Sequence, residues 1–177
     1  MKKILPICLA LCAILLVLIT GCSALEQSRI AKSQGEKIGL DLSSGSPLPV
    51  YDSHGGFQND GIRCLRYQFE DDALENQLVS APFWKSLPLD KVSFILAYGL
   101  DTGDNCAGPY LVDSDNKPLL PPVENGSYFF LNRFPPAQED GLDLHDPEAA
   151  FEHGIFNFTL AVYDQDARIL YILDMDI

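Results

Sequence analysis

The clearest structural signal in the chain is the stretch Phe156-Asn-Phe-Thr-Leu-Ala-Val-Tyr-Asp-Gln-Asp-Ala-Arg-Ile-Leu-Tyr-Ile-Leu-Asp-Met175. Apolar side chains recur at every second position on both sides of a polar turn at Asp164-Gln-Asp-Ala167. A period of two is that of a half-buried β-strand. Two such runs around a short polar turn predict a C-terminal β-hairpin that supplies much of the sheet core.

The rest of the domain alternates between strand and helix patterns. Ile62 to Phe69 places Leu65, Tyr67 and Phe69 on one face, and Ser127 to Phe134 is apolar on both faces, which is typical of a central strand. Short helices are predicted at Asp71 to Leu78, Leu89 to Tyr98 and Asp146 to Gly154. The fold class follows: a single α+β domain with an antiparallel sheet of four to five strands, two to three short helices on one face, and the C-terminal β-hairpin.

The N-terminus has the pattern of an export signal. Lys2 and Lys3 precede an apolar run from Ile4 to Ile19, and Ile19-Thr-Gly-Cys22 has the form of a bacterial lipobox, an aliphatic residue and two small ones before a cysteine. The alternative is an uncleaved transmembrane helix, since the run is just long enough to span a bilayer. The small residues before Cys22 favour cleavage and lipidation at that cysteine.

This interpretation divides the chain into three parts. Residues 1–21 are a lipoprotein signal peptide, residues 22–47 are the lipidated N-terminus and a flexible tether, and residues 48–177 are an acidic extracytoplasmic domain. Two or more acyl chains, such as palmitate, anchor a protein stably to a membrane. We therefore expect a lipoprotein of the cell membrane that faces outside the cytoplasm.

Charge narrows the choice of partners. The chain carries 25 acidic and 12 basic residues, and its net charge is −13. Nucleic-acid binding needs a basic footprint, which this domain lacks, so no nucleic-acid partner is expected. The expected partners are the membrane, through the N-terminal lipid, and an unidentified protein or small molecule. No cofactor motif is recognised.

The cysteines reduce to one candidate pair. Cys8 and Cys12 lie in the predicted signal peptide and Cys22 takes the lipid, which leaves Cys64 and Cys106. Outside the cytoplasm these two thiols can form a disulfide. The alternative is two independent thiols, because spacing alone does not show that they approach each other.

Familiar catalytic and metal-binding motifs are missing from the sequence. His54-Gly-Gly56 is like the oxyanion loop of esterases, but no G-x-S-x-G nucleophile elbow accompanies it. The acidic run from Asp140 to His153 is dense in metal-capable groups, but its spacing matches no known site, and Asp146 is already explained as a helix cap. No metal site is predicted, and no catalytic residue is assigned.

One polar site remains as a candidate. Asp52, His54 and Asp60 lie in the turn-rich segment Tyr51-Asp-Ser-His-Gly-Gly-Phe-Gln-Asn-Asp-Gly61, and Arg133 lies on an otherwise apolar strand, where it needs a partner. In one arrangement Arg133 pairs with Asp52 or Asp60 and pins the loop. In the other, His54, an aspartate and Arg133 form an anionic-ligand or catalytic pocket. The first arrangement, in which Arg133 has only a structural role, is favoured.

Four segments resemble a family of lipoproteins and secreted proteins, mainly from Gram-positive bacteria, that has no assigned activity. They are D-x-H-G-G-F-x-x-D-G (Asp52 to Gly61), W-x-x-L-P (Trp84 to Pro88), N-G-x-Y-F-F-x-x-R (Asn125 to Arg133) and N-F-T-L-A-x-Y-D (Asn157 to Asp164). The resemblance covers nearly the whole domain and implies a single extracytoplasmic domain. It departs at two places, since the family pattern has a second histidine where Gln58 stands and D-R-H at 132–134. A shared metal or acid–base site is therefore not implied for this chain.

Three functions remain as expectations, the last being a structural or envelope-maintenance role with no ligand. The first is a non-enzymatic lipoprotein domain that binds a protein or small ligand at the cell surface. The second is a small hydrolase or metal-dependent enzyme that uses the His54, Asp60 and Arg133 region. The sequence favours the first, because it contains no complete catalytic set.

Overall fold

The computed structural model describes residues 25–55, 60–103, 106–133, 143–152 and 157–177. Cys22 and the rest of the predicted signal peptide lie outside the described residues. The elements in chain order are α1 (25–38), β1 (Ser46–Pro47), β2 (Tyr51–Asp52), β3 (Gly61–Gln68), α2 (Ala73–Leu78), β4 (Lys85–Ser86), α3 (Lys91–Tyr98), β5 (Leu100–Asp101), β6 (Cys106–Ala107), β7 (Gly126–Asn132), α4 (Pro147–Glu152), β8 (Phe158–Asp164) and β9 (Ile169–Asp176).

The chain divides into two compact units, Met1–Ser43 and Ser44–Ile177. In the first unit, α1 occupies residues for which the sequence predicts a flexible tether. Its Leu, Glu, Gln, Arg, Ala and Lys residues are all good helix formers, although the same polar composition is also typical of linkers. Gly39, at φ +75°, ends the helix, and Ile38 and Leu42 are buried. Residues 25–38 of the predicted tether are thus helical.

The second unit is the expected α+β domain. Its sheet has the order β1-β3-β9-β8-β7-β4, with β2 also paired to β3, and every pairing is antiparallel. The four long strands β3, β9, β8 and β7 form its body, and three two-residue strands at its margins bring the total to seven. A separate two-stranded ribbon, β5 with β6, lies outside the sheet. The predicted hairpin is confirmed as β8 and β9, with Phe158 opposite Met175 and Asp164 opposite Ile169.

Strands β8 and β9 are central and are buried on both faces. One face carries Tyr128, Phe130, Leu160 and Leu173 and packs with α3 and α4 in the main hydrophobic cluster. The opposite face carries buried side chains that include Leu65, Phe129, Tyr163 and Ile172. Helix α2 lies on this second side, because Glu75 accepts a hydrogen bond from the Tyr163 hydroxyl at 3.2 Å. The sequence predicts all the helices on one face of the sheet, whereas α2 lies on the face opposite α3 and α4.

Strand β7 is covered on both faces as predicted, but it lies second from the edge and not at the centre. Its outer neighbour β4 pairs only with Ser127 and Tyr128. The rest of that edge is covered by the segment before α4: the Asn132 N–H donates to Leu144 O at 2.7 Å, and His145 Nδ1 donates to Phe130 O at 2.7 Å. Loop contacts therefore cover the part of β7 that β4 does not pair with. The apolar pattern of β7 does not predict whether a strand or a loop covers it.

The helix ends follow local capping rules. Asp90 begins α3, since its carboxylate accepts hydrogen bonds from the Ser93 N–H at 2.9 Å and from the Ser93 hydroxyl at 2.8 Å. Gly99, at φ +77°, ends α3 and donates its N–H to Ile95 O. Asp146 precedes α4 and accepts the Glu148 N–H at 3.0 Å. Over the described part of the chain, no helix has both the length and the apolar character needed to cross a membrane.

Candidate functional site

The register of the sheet collects charged residues at one end of the domain. Strands β3 and β8 begin at this end, and β7 and β9 finish there, because all their pairings are antiparallel. Arg63 and Thr159 both lie opposite Asp174, on either side of β9. Asp52 lies opposite Arg63 on the other side of β3. Seven polar side chains from five segments can therefore meet at this end of the sheet.

His54 joins two carboxylates. Its Nδ1 lies 2.7 Å from Asp52 Oδ1, and its Nε2 lies 3.0 Å from Asp176 Oδ2. The His54 backbone N–H also donates to Asp52 Oδ1, at 3.0 Å. The imidazole is well covered, with 12 % of its side chain exposed. Both ring nitrogens are therefore engaged, one by a carboxylate two residues away and the other by a carboxylate near the end of the chain.

Gly61 makes room for this arrangement. A Cβ atom at position 61 would lie 2.6 Å from the backbone nitrogen of His54 and 2.7 Å from its Cα. Such distances are shorter than any ordinary van der Waals contact, and the obstacle is backbone that cannot rotate away. The close approach of the His54 backbone to the start of β3 thus requires glycine.

Arg133 sits directly after β7 and faces the same end of β9. Its Nη1 lies 2.8 Å from Asp176 Oδ1, and its Nη2 donates to the carbonyl oxygens of Met175 at 2.8 Å and Phe158 at 3.1 Å. Its Nε lies 3.9 Å from Asp174 Oδ1. The sequence suggested that Arg133 pairs with Asp52 or Asp60. In the structure its short ion pair is instead with Asp176.

Asp174 is the most deeply buried charge of the group, with 1 % of its side chain exposed. It accepts hydrogen bonds from Thr159 Oγ1 at 2.6 Å and from Arg63 Nη2 at 2.8 Å. A buried carboxylate is tolerated when it is paired and hydrogen-bonded, as it is here. These residues and their neighbours form what we call the end cluster: Asp52, His54, Arg63, Arg133, Thr159, Asp174 and Asp176.

The charges of the end cluster balance when His54 is protonated, since three carboxylates then face three cations. Burial lowers the pKa of His54, but the hydrogen bonds and charges of Asp52 and Asp176 outweigh it and raise the pKa above its usual value. Burial raises the pKa of Asp176, but Arg133 and His54 outweigh it and hold that pKa below its usual value. Burial also raises the pKa of Asp52, but the hydrogen bonds from the His54 backbone and ring outweigh it and hold that pKa below its usual value. Each carboxylate thus favours the charged form of the cation next to it, and each cation favours the charged form of the carboxylate.

Asp60 lies apart from the end cluster. Its side chain is exposed, and the structure gives it no hydrogen bond or ion pair to any residue of the described ranges. Of the four residues singled out from the sequence, Asp52, His54 and Arg133 are thus brought together, and they are joined through Asp176. The predicted grouping of His54, Asp60 and Arg133 is not formed.

Sequence reasoning missed Asp174, Asp176, Arg63 and Thr159. One signal was present, because Arg63 and Asp174 interrupt faces of β3 and β9 that are otherwise largely apolar, and a charge on such a face needs a partner. The partner itself is set by the register between strands whose residues lie 111 positions apart. No local pattern encodes that register.

The end cluster offers no free general base. A general base needs a free nitrogen lone pair near its substrate, and both His54 nitrogens already face carboxylates. In the described ranges, no three His, Cys, Asp or Glu side chains are arranged to share a metal ion. The acidic run from Asp140 to His153 lies partly outside these ranges, and within them the Asp143 carboxylate accepts the His145 N–H and Asp146 caps α4. The arrangement is that of a structural ion-pair network.

A cleft of about 990 Å³ lies at the opposite end of the sheet, at the β8–β9 turn. Its lining includes the carboxylates of Asp72, Glu75, Glu124 and Asp166, and the guanidinium of Arg168. Several of these groups bond within the fold: Arg168 Nη2 lies 2.9 Å from Asp72 Oδ1, and Asn125 Nδ2 donates to Asp166 Oδ2 at 2.8 Å. Much of the acidic lining is thus already engaged by neighbouring side chains.

The two remaining cysteines are both free thiols. Cys64 is buried on the packed face of β3, and burial raises its pKa to about 11, whereas Cys106 is exposed on β6. The candidate disulfide between them is not formed. A buried thiol with a raised pKa is chemically inert, which makes Cys64 a packing residue.

Comparison with known proteins gives no assignment. A scan against protein-family models, a search of curated proteins and a search of solved structures each find no match to this chain. The resemblance to a lipoprotein family therefore stays a prediction, and the functional argument rests on the residues themselves.

Proposed function

We propose that the chain is a lipid-anchored lipoprotein of the cell membrane whose α+β domain faces outside the cytoplasm and acts by binding rather than by catalysis. The observation that carries this proposal is the apolar run from Ile4 that ends in Ile19-Thr-Gly-Cys22 after two lysines. Diacylglycerol attached to Cys22 supplies two acyl chains, and two chains are enough for stable anchoring.

The acidic domain is compatible with this position. From Leu40 to Ile177 the chain has 23 acidic and 7 basic residues, so anionic lipid headgroups repel the domain and favour its projection from the surface. The same charge disfavours nucleic acid as a partner. The proposed partners are the membrane, through the lipid, and a protein or small molecule that meets the projecting domain.

The end cluster supports binding over catalysis. The enzyme hypothesis requires His54 as its base, but the His54 ring is held between Asp52 and Asp176. Arg133 is held by Asp176 and by two backbone carbonyl groups. Because these groups already have partners inside the fold, none of them is presented to a substrate in the way that a base or an oxyanion donor must be.

Anchoring is tested with Cys22→Ala in the full chain, with Cys12→Ala as the matched control in the same apolar segment. Cells are fed an alkyne analogue of palmitate and then fractionated. We expect the label and the processed size in wild type and Cys12→Ala, and neither in Cys22→Ala. A Cys22→Ala chain that keeps the label, the wild-type size and the membrane fraction would overturn the anchor.

The non-enzymatic part is tested with p-nitrophenyl acetate and p-nitrophenyl phosphate as generic hydrolase substrates. We expect no turnover above buffer by the purified full chain in detergent. Turnover that His54→Gln abolishes, while circular dichroism shows an intact fold, would replace this proposal with the hydrolase alternative. His145→Gln serves as the control, because His145 lies outside the end cluster.

A further inference from the structure

His54 links two strands that do not pair with each other. Strand β3 has β9 on one side and β2 on the other. His54 lies two residues after β2, and its ring passes the first residue of β3 at Gly61 and reaches the Asp176 carboxylate of β9. Apart from this bridge, β2 and the residue after it are held by the two-residue pairing with β3, by hydrogen bonds between Ser53 and Ile62, and by packing of Tyr51 against the main hydrophobic cluster. The imidazole therefore spans a strand and joins the margin of the sheet to its centre.

The bridge requires a particular protonation state. A neutral imidazole carries one N–H and can donate to one acceptor, whereas an imidazolium donates from both nitrogens. Carboxylates that are ionised only accept. With Asp52 at 2.7 Å and Asp176 at 3.0 Å, both contacts are hydrogen bonds only when His54 carries two protons. In the neutral state, one carboxylate would face a nitrogen lone pair, and that contact would be repulsive.

We propose that His54 is a pH-operated clasp: its protonated ring fastens β2 to the end of β9, and loss of one ring proton releases β2 from β9. The clasp needs neither the lipid anchor nor a ligand. Its test is therefore independent of the proposed function.

Among the described residues, the charged groups that face the clasp all belong to the end cluster. Asp52 comes from β2, Asp174 and Asp176 from β9, Arg63 from β3, and Arg133 from the residue after β7. The two arginines disfavour a third positive charge, but each is already paired with an aspartate of β9 at 2.8 Å. Asp52 has no arginine within ion-pair distance among the described residues, so the histidine is its main counter-charge. The balance favours the protonated ring.

The sign of the pH effect follows from the raised His54 pKa. A group whose folded pKa lies above its unfolded value, about 6.5 for histidine, stabilises the fold fully below that value. This stabilisation disappears as the pH rises through the folded pKa. The clasp is thus closed below about pH 6.5 and opens as the pH rises through the raised pKa of His54.

The test uses the full chain in detergent, with His145→Gln as the matched control. His145 donates its Nδ1 proton to Phe130 O, a single hydrogen bond for which one ring proton is enough. Chemical unfolding is measured from pH 6 to pH 9. We expect wild type and His145→Gln to lose stability across this range, and His54→Gln to show a flat profile. A flat wild-type profile, or an unchanged slope in His54→Gln, would overturn the clasp.

Two measurements on wild type keep the test decisive if His54→Gln does not fold. The first is an NMR titration of the His54 ring, for which we expect a pKa above the ordinary value of about 6.5. The second is amide exchange corrected for intrinsic rates, for which we expect protection of the Ser53 N–H to fall with rising pH by at least as much as that of Leu160 in β8. A ring pKa at or below 6.5, or protection of the Ser53 N–H that does not fall as the pH rises, would refute the proposal.

Discussion

Arg133 and Asp176 face each other with Nη1 2.8 Å from Oδ1, although one follows β7 and the other ends β9. These two strands are not neighbours, since β8 lies between them. The guanidinium crosses β8 and also donates hydrogen bonds to the carbonyl oxygens of Phe158 and Met175. The pair therefore ties three strands together at the end of the sheet where regular ladder hydrogen bonds stop.

Loss of this pair should be costly. Arg133→Ala would remove one of the two partners of Asp176 and the Arg133 hydrogen bonds to two carbonyl groups, and we expect a loss of about 2–3 kcal/mol in unfolding free energy. Urea unfolding of the full chain in detergent is the measurement. Lys117→Ala is the control, since its contact with Asp115 is long, at 3.6 Å, and exposed; a change of roughly 0.5 kcal/mol or less is expected there. Equal effects in the two variants would contradict the assigned role.

The close approach at Gly61 predicts a strong effect of a single methyl group. Gly61→Ala would place a Cβ atom 2.6 Å from His54 N, and we expect a loss of about 2 kcal/mol or more because the backbone has to move. Gly55→Ala is the matched control, because a Cβ atom there meets no described atom within 4 Å. Thermal unfolding compares the two. A Gly61→Ala variant as stable as Gly55→Ala would show that the strands approach less closely than described.

Acid should weaken the end cluster through Asp52 and Asp176. The folded pKa of each lies below the usual value, so their stabilisation is present above about pH 4 and disappears as the pH falls through the lowered values. We expect Asp52→Asn to remove part of the decline in unfolding free energy between pH 4 and pH 2. Asp60→Asn, on an exposed side chain of the same segment, should keep the wild-type decline. Indistinguishable profiles for the two variants would argue against the His54–Asp52 contact.

Thiol reactivity should differ sharply between the two cysteines of the domain. Cys64 is buried with its pKa raised to about 11, whereas Cys106 is exposed. At pH 8 we expect iodoacetamide to modify Cys106 at least tenfold faster than Cys64, and peptide mapping by mass spectrometry reads each site separately. After denaturation the two rates should converge. Comparable rates in the folded chain, or a Cys64–Cys106 cross-link in the mapped peptides, would contradict the separation of the thiols.

Local patterns predicted much of the fold. The alternation in β3, β8 and β9 identified strands, and Asp146 marked the start of a helix, because these signals depend on residues only two to four positions apart. The same reasoning did not predict α1, whose composition suits both a helix and a linker, or the position of β7 in the sheet. Helix propensity is a weak preference, and strand order depends on contacts between distant segments.

By itself, therefore, the sequence determined the α+β class, the C-terminal hairpin and the cysteine on which the proposed anchor depends. It also singled out Asp52, His54 and Arg133 as polar groups that needed an explanation. Tertiary structure alone decided what they contact: Asp176, which lies 122 residues from His54, accepts both His54 and Arg133, and Asp60 is left outside. The physical reason is that side-chain spacing is local, whereas the partner of a buried charge is set by the register of strands that meet only when the chain folds.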